Sequence, residues 1–350
     1  MKKAVTILLC AVMAMGTIGC GNRVDETSGV IASDSVVEDT SEEVKSNDSA
    51  EGGYKVVYSI PGLSAPIWTV ASEAFIAKAS EMGWEAEVLD PNDSLETQIS
   101  QLENALTKGV QGVIITAIDG EAMSTLMSEC EEAGVPVAAI DRQVTGTSLT
   151  TVEADNYNIG LALGEMYVES LVNQEGKVLI VGGPLSSSAT VNRTEGFKDA
   201  VKGNNNIEIV AESATEMDSE VVLAAVTNYL QANPDINCIM SCTDYILPSI
   251  MTALDEADML KGVGEEGHVK VYSVDGDGYG LKQVKEGLID ATYGLDPAGW
   301  AEAALEALKT SFEGGSVKEA ILITGNIVTL DNFEALKSEG KLWGAASMEE

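Results

Sequence analysis

From Tyr54 onward, short β-branched runs alternate with helical patterns, and this alternation limits the fold more than any other feature of the chain. Lys55–Ile60 reads as a strand. Ile67, Val70, Ala71, Ala74, Phe75 and Met82 then recur at three- and four-residue spacing, as one buried helix face does. Glu85–Leu89 is a second strand, and Leu95, Ile99, Leu102 and Leu106 mark the next helix. A buried strand over residues 112–116, a helix around Met123 and a strand over Pro136–Ile140 follow. Strands joined by helices through such short connections imply a parallel sheet covered on both faces.

The rhythm then restarts. Helices near Asn156–Leu171, Arg193–Val201 and Val222–Tyr229 interleave with strands at Lys177–Val181, Ile207–Ala211 and Asn237–Ser241. Strand Val269–Val274, a short helix and strand Ile289–Leu295 complete a second unit; helix Ala298–Phe312 and an apolar stretch, Ala320–Leu330, remain. The expected fold class is α/β, with two similar doubly wound parallel-sheet lobes in tandem and a tail long enough to return to the first. A length of 350 residues suits two domains, and a hydrophobic fraction of 45% with only 5% aromatic suits aliphatic cores.

The first 53 residues do not share the alternation. Lys2 and Lys3 precede an apolar run, Ala4–Met15, too short to span a bilayer stably, and Thr17-Ile18-Gly19-Cys20 resembles a bacterial lipobox. Residues 1–20 therefore read as a signal peptide ending at a lipidated Cys20, although Thr17 and Ile18 depart from the usual pattern and an ordinary secretory signal is the alternative. Residues 21–53 hold nine acids against Arg23 and Lys45, with no aromatic before Tyr54. Such a segment cannot bury enough apolar surface to offset its ordering entropy, so a disordered acidic tether is expected. A tether directly after a lipidatable cysteine suits a protein exported and anchored on the outer face of the cytoplasmic membrane.

The net charge of −36 excludes nucleic acid as a partner, since phosphate binding needs clustered Lys and Arg. Cys130, Cys238 and Cys242 read as small buried hydrophobes; the last two lie about 13 Å apart along a strand, too far to bridge. His268 is the sole histidine, so neither a histidine metal cluster nor a Ser-His-Asp triad can be built. Asp275–Gly280 with Glu286 echoes a calcium loop, but Tyr279 stands at its fifth position and Leu281–Lys285 reads as helix. No metal and no cofactor are expected.

Open parallel sheets bind ligands outside the carboxyl ends of their strands. The residues there are Ser59–Ala65, Asp119, Asp141-Arg142, Gly182-Gly183-Pro184, Thr243-Asp244 and Asp275-Gly276. A carboxylate accepts hydroxyl hydrogen bonds and a guanidinium donates several, so Asp141 and Arg142 can grip a polyol from two sides, or form only a local ion pair. Trp68 can stack on a sugar ring or serve as a core aromatic. Asp275 can accept hydroxyls or cap the helix after it.

Six short segments in this order carry a resemblance: Ser64–Trp68, Ala139–Gln143, Ala154–Asn156, Asn192–Phe197, Ser241–Asp244 and Ser273–Gly276. Across Val56–Leu330 the chain resembles the type 1 periplasmic binding protein family, especially its ribose-binding members. The resemblance implies a three-crossover hinge near Ala154, Leu295 and Thr324. The lobes would be residues 54–154 with 296–324, and residues 155–295 with 325–343. It also implies that Trp68 stacks on the sugar, that Asp141 and Arg142 form the polar pair, and that Arg193 reaches across from the second lobe. Asp275 would bind hydroxyls. Met217 replaces a family aromatic and Thr243 an asparagine; Ala65, Ile67 and Leu295 depart likewise, which puts ribose itself in doubt.

The expected function is an extracytoplasmic substrate-binding protein of an ABC uptake transporter, monomeric, with permease subunits as partners and a small neutral sugar or derivative as ligand. A ligand sensor presenting its closed form to a membrane receptor is an alternative, and a carboxylate enzyme acting on sugars a weaker one. A sugar-responsive repressor shares such a fold but needs a basic helix-turn-helix that the acidic N-terminal region lacks.

Overall fold

The computed structural model describes residues 53–171 and 174–349. The expected signal peptide, Cys20 and nearly all of the acidic tether lie outside the described residues. None of the described helices is long and apolar enough to cross a membrane.

The alternation resolves into two six-stranded sheets. The first lobe opens with β1 (Lys55–Ser59), α1 (Pro66–Glu81), β2 (Glu85–Leu89), α2 (Leu95–Thr107), β3 (Gly112–Ile115), α3 (Ser124–Glu132), β4 (Val137–Ile140) and β5 (Thr150–Glu153). The second holds α4 (Asn156–Ser170), β6 (Gly176–Gly182), α5 (Ser188–Val201), β7 (Ile207–Ala214), α6 (Ser219–Ala232), β8 (Cys238–Ser241), α7 (Leu247–Glu256), β9 (Lys270–Asp275), α8 (Gly278–Lys285) and β10 (Ala291–Gly294). Helix α9 (Pro297–Phe312), β11 (Ala320–Leu322), β12 (Asn326–Val328) and α10 (Phe333–Ser338) complete the chain before a final 3-10 turn.

The sheet orders are β11-β5-β4-β3-β1-β2 and β12-β10-β9-β8-β6-β7. All pairs are parallel except β10 with β12. Every residue of β3, β4 and β8 is buried, as expected of strands covered on both faces. The chain passes between the sheets three times: between β5 and α4, between β10 and α9, and between β11 and β12. The doubly wound α/β class read from the alternation is therefore the observed one.

Helix starts follow local chemistry. Pro66 and Pro297 stand in the first turns of α1 and α9, where a missing N–H costs nothing. Ser94, Asp155, Asp218, Asp277 and Asp296 cap α2, α4, α6, α8 and α9 through side-chain oxygens. Cys130, Cys238 and Cys242 are all free and buried. Helices α4 and α5 approach at backbone distance, because Gly160, Gly164 and Gly196 leave no side chain between them. That contact sets where Arg193, on the same seam, enters the molecule.

Candidate functional site

A cleft of about 620 Å³ is lined from the carboxyl ends of strands in both sheets. The first lobe contributes the first turn of α1, which carries Trp68, and the end of β4, with Asp141 and Arg142. The second contributes Arg193 from α5, Met217 after β7, Thr243 after β8 and Asp275 at the end of β9. All seven ligand residues expected from the sequence thus line one cleft. Asp119 does not; its carboxylate accepts from the Glu121 and Ala122 amides of its own turn.

Arg193 is the hub. Its Nε donates to Asn156 Oδ1 at 2.8 Å, and its Nη1 to the Cys242 carbonyl at 2.9 Å and to Asp275 Oδ1 at 3.3 Å. Its Nη2 stands 3.7 Å from Asp141 Oδ1, an ion pair between the lobes. Arg142 donates from Nη1 to the Ala117 carbonyl at 2.9 Å and lies 5.8 Å from the Trp68 ring centre, so the indole packs against a cation. Trp68 leans on Trp300, ring centres 6.4 Å apart. The Trp68 ring is thus both a packed aromatic and a cleft wall.

Asp275 accepts from the Thr243 hydroxyl and, at 3.3 Å, from the Asp244 amide. Burial pushes its carboxyl up to about 7, although Arg193 and Thr243 pull the other way. It caps nothing; Asp277 performs that task for α8. Asp244, next to Thr243 in sequence, is fully enclosed and accepts from the Gly276 and Asp277 amides and the Thr292 hydroxyl. Burial, with Asp277 and Asp275 nearby, holds it well above the usual carboxylate range. It braces the Asp275 turn from behind.

Two observations mark this cleft as built for a polar guest. Asp141 Oδ1, Arg142 Nε, Ser187 Oγ and Trp300 Nε1 are buried there with no hydrogen-bond partner within the protein. Most buried polar groups are satisfied, so such a convergence calls for an explanation. Moreover, among the described residues, four of the six non-glycine residues with positive φ line the cleft: Asp93, Asp141, Met217 and Asp275. Backbone of this kind costs about 1–3 kcal/mol per residue and collects where side chains must be aimed.

Trp300, Thr190 and Trp343 also line the cleft, unforeseen from the sequence. The Gly299-Trp300 step lies on the apolar face of a helix, where periodicity marks only a core aromatic. Asp93, Glu216, Asp218, Glu220 and Asp277 add acids to the wall, against Arg142 and Arg193 alone. Among the described residues, no group of His, Cys, Asp and Glu could hold a metal ion.

Residues 56–316 match the family model for the periplasmic binding protein domain. The chain belongs to that family, as its strand-end segments implied. The ribose import binding protein of Bacillus subtilis is 23% identical over 276 residues, 79% of this chain and 87% of that one. The D-xylose-binding periplasmic protein of Haemophilus influenzae is 27% identical over 241 residues, 67% and 70% of the two chains. Among solved structures, an ABC transporter solute-binding protein of Bacillus halodurans with bound myo-inositol superposes with a TM-score of 0.74. It is 23% identical, covering 83% of this chain and 99% of that one.

Proposed function

We propose that this protein is the extracytoplasmic substrate-binding protein of an ABC uptake transporter and holds a small neutral sugar or sugar derivative between its lobes. The carrying observation is the cleft itself, in which acceptors (Asp141, Asp275) and donors (Arg142, Arg193) from two lobes converge beside Trp68 with polar valences unfilled. A polyol satisfies such a set, because each hydroxyl both donates and accepts. The names of the relatives support the class: they bind ribose and xylose, and a structural neighbour holds myo-inositol. The function is capture, not catalysis.

Closure follows from the geometry. A guest touching Asp141 and Arg193 at once favours the arrangement in which both lobes reach it, and only such differential contact can shift the equilibrium. The wall disfavours anions, since its acids outnumber its two guanidinium groups. Ala65, Ile67, Met217 and Leu295 add apolar surface, which suits a ligand with fewer hydroxyls or an added apolar group.

Thermal-shift screening against pentoses, hexoses and inositols, followed by calorimetry, tests the reading. A neutral member at 100 times its Kd should stabilise the fold by about 2.7 kcal/mol. Tighter binding of a matched sugar phosphate or uronate overturns the neutral-ligand assignment, and conversion of the bound sugar to product overturns the non-enzymatic one.

The lipid anchor at Cys20 is part of the same proposal, supported by the apolar run before it and the acidic segment after it. Cys20→Ser in a Gram-positive-type host should release the protein into the medium. Full retention of that variant at the membrane would count against anchoring through Cys20.

A further inference from the structure

The C-terminal tail reaches the cleft. After α10, Leu342 is buried against the second lobe and the chain turns through a 3-10 segment, Trp343–Glu349. Trp343 lines the cleft together with Asp275, Leu295 and Trp300. Its indole Nε1 donates to the Asp275 carbonyl oxygen at 2.8 Å. The same oxygen accepts from the Leu295 amide at 2.9 Å, so one carbonyl ties together the tail and a hinge crossover.

We propose that Trp343 is a positioning residue for the ligand site, holding the Asp275 turn in the geometry that aims its carboxylate at Arg193 and the cleft. Asp275 has φ of 132° and Gly276 of 73°, so strand β9 ends in a conformation that an aspartate does not adopt unaided. The carboxylate is fixed from the front by Arg193 and Thr243, and the turn from behind by Asp244. From the side of the carbonyl, the tail joins the Leu295 amide as the second restraint. Its fit leaves no slack: a Cβ at Gly344 would stand 2.4 Å from the Gly276 carbonyl oxygen, and one at Gly278 would stand 2.8 Å from the Ser347 backbone. Tail and turn therefore dock backbone to backbone. Loosening either end of the contact frees a strained residue, and the strain is relieved by rotating Asp275 away from Arg193.

The ligand half of this inference rests on the sugar-binding reading; the structural half does not. Trp343→Phe keeps a smaller aromatic ring and deletes the donor, whereas Gly344→Ala obstructs the docking and leaves Trp343 intact. Hydrogen exchange without ligand, followed in peptides covering 271–281, is expected to accelerate at least tenfold in both variants, with β1 and β3 unchanged. Calorimetry with the panel sugar that wild type binds most tightly should give a Kd about tenfold weaker for Trp343→Phe, the size of one lost hydrogen bond. Unchanged exchange in both variants overturns the positioning role. Accelerated exchange with a Kd within twofold of wild type overturns its bearing on the ligand. If wild type binds no sugar in the panel, the proposed function fails while exchange still decides whether the tail holds the turn.

Discussion

Arg193→Ala is expected to weaken ligand binding roughly a hundredfold to a thousandfold, or about 3–4 kcal/mol. The guanidinium is buried and contacts Asn156, the Cys242 carbonyl, Asp275 and, at longer range, Asp141. Removing it strands two carboxylates in the cleft, one from each lobe. Asp275, already pushed up to about 7 by burial, loses the larger of the two groups that oppose that shift and becomes a neutral acid at working pH. A ligand hydroxyl then loses a donor and meets an altered acceptor. Arg193→Lys should recover little, because a single ammonium cannot span partners that the planar fork reaches together. Arg142→Ala should cost less, since its ion-pair partner in the cleft, Asp141, keeps its pairing with Arg193. Calorimetry on variants with a cooperative melt decides the matter. A Kd for Arg193→Ala within tenfold of wild type would place the binding site elsewhere.

Much of this site was readable because strand ends can be located from alternation alone, and parallel sheets put their binding groups there. Asp141, Arg142, Thr243 and Asp275 follow strands whose apolar runs are unambiguous. Arg193 and Met217 came only through the family resemblance, as nothing in a helix or a loop marks which side chain crosses a cleft. The same limit applies between neighbours: Thr243 faces the cleft and Asp244 is enclosed behind it, although both stand after the same strand. Strand β5 is not legible in the sequence because three of the four residues of Thr150-Thr-Val-Glu153 are polar; its partners β4 and β11 make it a strand, not its own composition. Strands β11 and β12 are three residues each and blend into one apolar stretch, so the third crossover was expected from the resemblance and not from pattern. Helix α7 has no counterpart in the sequence reading, and the segment ending at Trp343 was expected in the second lobe only through the resemblance, with no part in the cleft. Trp343 acts through a backbone carbonyl far away in sequence, and that pairing exists only once the tail has docked on the second lobe.

Gly160→Ala is expected to destabilise the protein by about 3 kcal/mol or more, an unusual cost for one methyl group. A Cβ at position 160 would stand 1.9 Å from the Arg193 carbonyl oxygen and 2.8 Å from its carbon, and these atoms belong to the opposing helix backbone. No rotamer change relieves such a contact; α4 and α5 must separate. The seam has no slack elsewhere, because Gly196 meets the Tyr157 carbonyl and Gly164 meets Ala200 at similarly short range. Separation opens voids beneath Phe197, which is fully buried and stacked on Tyr167. Lost dispersion then adds to the collision. The residue displaced is Arg193 itself, so binding should weaken along with stability. Gly203→Ala is the control: it lies just beyond α5 at φ of 82° with open space around it, so it should cost only the left-handed penalty of about 1–2 kcal/mol and leave affinity intact. Denaturant melts and calorimetry on the two variants separate the cases. Equal losses of stability at positions 160 and 203, with wild-type affinity in both, would mean that the helix seam does not set the position of Arg193.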